Sequence, residues 1–129
     1  MFKSAFSAAL VATALGFALC TSAQASDLSH EMHTLKSNYK TFSQAKSAEQ
    51  ALKALSAMQQ AAQASKQMTP EGVDPSDASQ VAAYQEQLSQ LSATIAAATD
   101  LVKANQLGQA QALGKKMLQI RDTAHEQFR

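Results

Sequence analysis

The 129-residue sequence contains no tryptophan, one cysteine, two prolines and four glycines. So few turn formers exclude a sandwich or barrel of many short strands. A single cysteine makes neither an internal disulfide nor a cysteine-rich zinc site. Eleven Lys+Arg stand against ten Asp+Glu, a formal net charge of +1. A nucleic-acid footprint needs a clustered basic excess, so that class of partner is not expected. The length allows one domain. Multidomain enzymes, P-loop and dinucleotide-binding folds and zinc fingers are therefore excluded.

What is present begins with an address. Lys3 is followed by an apolar run from about Ala8 to Leu19, then by Ala23-Gln24-Ala25. A positive start, a short apolar stretch and a small-x-small site predict a secretory signal peptide over residues 1–25, with the functional domain over 26–129. The run is short for a membrane anchor. Leu19 before Cys20 departs from the small residue that a lipoprotein signal carries there. Removing the leader leaves 104 residues, ten charges of each sign and no cysteine. An oxidising compartment would then gain no disulfide from this chain. Only Tyr39, Phe42, Tyr84 and Phe128 remain as aromatics. The core is rich in Ala, Leu and Met, and either packs tightly or is filled by a bulky apolar cofactor.

Four helical periods follow. Leu28, Met32, Leu35, Tyr39 and Phe42 recur at steps of four and three within a segment of about Asp27 to Ala45. Ser47 and Gln50 form a capping-box pattern, and the stripe Ala48, Ala51, Leu52, Leu55, Met58 and Ala62 predicts a second helix ending near Lys66. Residues 68–77 hold both prolines and form the long loop. From Ala78, the series Val81, Tyr84, Leu88, Leu91, Ile95, Ala98 and Val102 keeps its period for three heptads. Asn105 to Gly108 reads as a turn. A fourth helix is expected from about Gln109 to Phe128, with Leu113, Met117, Ile120, Arg121, Ala124, His125 and Phe128 facing inward. Gly114 within it suggests a close approach of another helix. The fold class is all-α, an antiparallel up-down-up-down four-helix bundle.

In such a bundle Met32, near the start of the first helix, and His125, near the end of the last, lie at the same end. An imidazole and a thioether there can fill the two axial positions of a haem iron. Each also has a plainer role, as a core methionine or as a cation near a helix C-terminus. Met58 lies too far along the bundle, and Met117 shares a helix with His125. His30 and His33 flank Met32 and read as surface residues. With Met32 they offer an alternative site for a borderline metal such as copper. No nucleophile-base pair or paired inward carboxylate emerges, so no enzyme is expected. No basic amphipathic helix for membrane binding is seen either.

The stretches Asp27-Leu28 to Met32-x-Thr34-Leu35, Thr69-Pro70 with its acidic loop, and Arg121-x-x-Ala124-His125-x-x-Phe128-Arg129 resemble the cytochrome b562 family over residues 26–129. That family is an established example of the four-helix bundle. The resemblance implies a periplasmic b-type cytochrome and one-electron carrier, with non-covalent haem b ligated through Met32 and His125, and with Arg121 beside the haem edge. Tyr84 and Leu88 stand where the family carries two haem-packing rings, and the central loop is slightly shorter. Arg121 to His125 has the spacing of Cys-x-x-Cys-His without either cysteine, so covalent attachment of a c-type haem is excluded. An unknown redox protein is the implied partner, and a monomer is expected. The rival reading is a haem-free periplasmic helical module that binds a protein or copper.

Overall fold

The computed structural model describes residues 28–128. The signal-peptide expectation, Cys20, Asp27 and Arg129 lie outside the described residues. Those residues are helical without strands. α1 spans Leu28–Gln44, α2 Ala48–Lys66, α3 Ala78–Lys103, α4 Leu107–Ala112 and α5 Gly114–Phe128. The last two form one rod interrupted at Leu113, so the described residues build four rods, consistent with a four-helix bundle. None of the described helices is long and apolar enough to cross a membrane.

Local chemistry sets the helix ends. At α2, the Ser47 hydroxyl accepts from the Gln50 amide at 3.2 Å. Gln50 Oε1 in turn accepts from the Lys46 amide, one residue before the expected position of a capping box. Asp77 caps α3, its carboxylate accepting from the Ser79 and Gln80 amides. α3 ends where Asn105 takes φ 64, a left-handed conformation that Asn tolerates. The Gln106 amide then bonds back to the Leu101 carbonyl at 2.8 Å, and the Asn105 amide to Val102 at 2.9 Å. This pair of bonds is a Schellman stop. It closes the turn early, so the fourth rod starts at Leu107, ahead of the expected Gln109, and Gly108 lies within the helix.

α1 packs mainly on α2, α2 on α3, and α3 on α4 and α5. Between α2 and α3 the Tyr84 hydroxyl donates to the Ser65 carbonyl at 2.7 Å, and Ser92 exchanges hydrogen bonds with Gln59. Partner numbers fall on α2 as they rise on α3, so these two helices run antiparallel. The main core gathers Phe42, Leu55, Met58, Ile95, Val102 and Met117 among buried alanines. The alanines let helix backbones approach closely, which answers the shortage of large apolar residues.

α1 and α5 make little close contact. Tyr39 reaches across to the fourth rod, and a Cβ built on Gly114 would lie 2.8 Å from its hydroxyl oxygen. Gly114 therefore makes room for a tyrosine from the first helix. One turn further, the Gln111 side-chain amide donates to the Phe42 and Ala45 carbonyls at 3.0 and 2.9 Å. Both carbonyls lie at the end of α1, where intrahelical donors run out, and that of Phe42 also accepts from the Ala45 amide at 3.2 Å.

Candidate functional site

The contacts at Tyr39–Gly114 and Phe42–Gln111 step in opposite directions along α1 and the fourth rod. They fix how the two helices are aligned. Seven residues before Tyr39 is Met32, and seven after Gly114 is Arg121. His125 follows one turn later, about 6 Å further along the axis. The same α1 face that carries Tyr39 carries Leu35, Met32 and Leu28, and all three are half-buried.

The other wall of this end is better packed. Val73 from the loop, Tyr84 and Leu88 form a small buried cluster, with Val81, Leu91 and Phe128 against it. The Tyr84 and Phe128 rings meet edge to face, 5.7 Å between centroids and 87° between planes. Burial pushes the Tyr84 phenol up to about 12. A shallow cavity of about 380 Å³ opens beside Phe128, lined by Gly72, Ser79, Gln80, Ala83, Gln127 and Phe128.

Met32 is half-buried, whereas His125 and Arg121 are exposed. The inward reading of the last two is thus corrected. The buried stripe of α5 runs through Gly114, Met117 and Ile120, with Ala124 and Phe128 half-buried, and Arg121 and His125 lie beside it. The cause is the gap. Side chains that would face α1 have solvent before them where the two helices stand apart. Arg121 meanwhile bonds its own neighbour, with its Nη2 2.7 Å and its Nε 2.9 Å from the Asp122 carboxylate. Both partners are mostly exposed, so this pair contributes little to stability.

The remaining candidates separate cleanly. Met58 and Met117 are enclosed in the main core, at 2% and 3% exposure, and offer no accessible sulfur. Met68 is half-buried at the loop edge, and His30 and His33 are exposed. No group of three or more His, Cys, Asp or Glu that could hold a metal occurs among the described residues. Beside the half-buried apolar wall, Met32 from α1 and His125 from α5 offer a thioether and an imidazole from two different helices, while His30 and His33, exposed as His125 is, share α1 with Met32. That chemistry fits a haem, whose iron accepts Met/His ligation and whose ring needs apolar cover. It does not suit a carboxylate-held metal.

Sequence reasoning missed Gln111 and Val73. Gln111 acts on carbonyls more than 60 residues away, and Val73 is a lone apolar residue in a polar loop, so neither leaves a periodic signal. No curated protein matches the chain. The sequence does match the family model described as cytochrome b562, over residues 27–129. That match, over all of the described helical rods, shows that the chain belongs to the cytochrome b562 family of haem b-binding electron carriers.

Proposed function

We propose that this chain is a periplasmic one-electron carrier, an up-down-up-down antiparallel bundle that holds haem b without covalent attachment between Met32 and His125. The alignment of α1 with the fourth rod carries the reading, because it brings the Met32 stretch level with the Arg121 to His125 stretch. Bound haem supplies a one-electron iron couple, which Met/His ligation tunes to a raised potential. The residues supply the rest. Met32 gives a soft sulfur from α1. His125 gives an imidazole nitrogen from the last helix. Met32 and His125 together would hold the iron through two protein donors, which fits a carrier and not an enzyme. Tyr84, Val73 and Phe128 exclude water from the far wall. Arg121, one turn before His125, is free to leave its exposed Asp122 partner for an anionic edge of the cofactor.

The leader over residues 1–25 supports export, and the missing Cys-x-x-Cys supports non-covalent binding. The testing experiment is a visible spectrum of the purified chain after haem addition, oxidised and reduced. Sharp six-coordinate bands that titrate as a single one-electron couple are expected. A spectrum of free haem would remove the proposal.

A further inference from the structure

The near-zero net charge hides a separation. Setting aside the Arg121–Asp122 pair, which neutralises itself, the described charges divide by the half of the bundle in which they sit. The half that contains the open end holds Glu31, Glu71, Asp74, Asp77, Glu86 and Glu126, against Lys36 and Lys66. The opposite half holds Lys40, Lys46, Lys53, Lys103, Lys115 and Lys116, against Glu49 and Asp100. The contacts of Tyr84 with Ser65 and with Phe128 place the start of α3, the end of α2 and the end of α5 together. The Gln111 bonds place the end of α1 at the other extreme. All six of those lysines are exposed, and no ion pair besides Arg121–Asp122 occurs among the described residues.

We infer that the molecule is an electrostatic dipole whose negative pole surrounds the open end, and that it presents this end to a protein partner with a basic docking face. Six carboxylates against two lysines at one pole, and the reverse at the other, give a field that orients the protein during approach even when its total charge is near zero. Complementary potentials of this kind raise the association rate and select the partner's orientation. Leu28 and Phe128, half-buried at this end, add apolar surface within the charged rim. The inference rests on the electron-carrier reading for its choice of pole, since electrons leave where the cofactor edge is exposed. A basic partner would meet the lysine half only against repulsion.

The test compares two small oxidants on the haem-loaded, reduced protein in stopped flow. Tris(phenanthroline)cobalt(III) is a cation and hexacyanoferrate(III) an anion, and each accepts one electron from the protein. Between roughly 0.01 and 0.15 M salt, where the screening length falls from about 30 to 8 Å, the rate with the cation should fall several-fold. The rate with the anion should not fall. The double variant Glu71→Lys/Glu86→Lys, which touches neither ligand, should flatten the response to the cation. Salt dependence of one sign for both oxidants, or none for either, overturns the inference. A second arm needs no haem. Hexaamminechromium(III), a paramagnetic trication, should broaden the amide resonances of Glu71, Glu86 and Glu126 before those of the lysine half. Even broadening, or broadening at the lysines first, overturns the inference whatever the visible spectrum shows. Absence of a haem spectrum, by contrast, bears on the proposed function alone.

Discussion

The two ends of this bundle are built by different physics. At the closed end Phe42, Leu55 and Val102 are almost wholly buried, Tyr39 fits over Gly114, and Gln111 satisfies carbonyls at the end of α1. At the open end α1 and α5 stand apart, and Leu28, Met32 and Phe128 keep part of their surface in water. The closed end needs nothing but the chain. The open end leaves Leu28, Met32 and Phe128 only partly covered by the chain, and this is where the proposed cofactor site lies. Stability and function are divided along the helix axis, and variants can be chosen to separate them.

The largest difference should come from truncating one leucine at each end. Leu55→Ala opens a cavity in the packed half and should cost about 2–5 kcal/mol in urea unfolding. Leu28→Ala, at a half-exposed position, should cost less than about 1 kcal/mol without haem. If both cost the same, the contrast between the ends fails. Next in size is Gly114→Ala. Its new methyl would press on Tyr39, with an expected loss of about 1–3 kcal/mol, read as a lower Tm. Tyr39→Phe removes the atom at 2.8 Å. The double variant should therefore recover part of the loss, and strict additivity would argue against that contact.

A smaller effect sharpens the comparison at the open end. Tyr84→Phe deletes a buried donor to Ser65 and should cost about 1 kcal/mol. In the folded chain the phenol keeps its proton up to about 12, while in the unfolded chain it releases it near 10.0. The unfolded state therefore binds fewer protons between those values. The stability contributed is present below about pH 10 and is lost as pH rises towards 12. Tyr84→Phe should remove this part of the alkaline decline, leaving that of other groups. Chemical denaturation at pH 9, 10 and 11 would measure it.

Much of this arrangement was legible in the amino-acid order. The three heptads from Val81 to Val102, the Ser47 cap and the loop prolines rest on interactions within a few residues, and each element formed where its pattern lies. Gly114 suggests the close approach of another helix, whereas the space it leaves is taken by the Tyr39 side chain, reaching over from a helix that makes little close contact with α5. What the pattern could not carry was the spacing between non-consecutive rods. Periodicity put Arg121 and His125 inward, because it records which face is apolar but not whether a helix stands opposite. Both are exposed because α1 does not close on α5 at that level. The amino-acid order marks the turn after α3 over Asn105 to Gly108, but not how tight it is: a left-handed Asn105 closes it within three residues and advances the next helix to Leu107.

The central claim is that one sulfur and one ring nitrogen, from the two helices that stand apart, hold the same iron. The most direct measurement is the visible spectrum and haem affinity of Met32→Ala and His125→Ala beside the unaltered chain. Met32→Ala should keep haem in a five-coordinate, lower-potential form, and His125→Ala should largely lose it. Unchanged spectra and affinity in both variants would contradict the account.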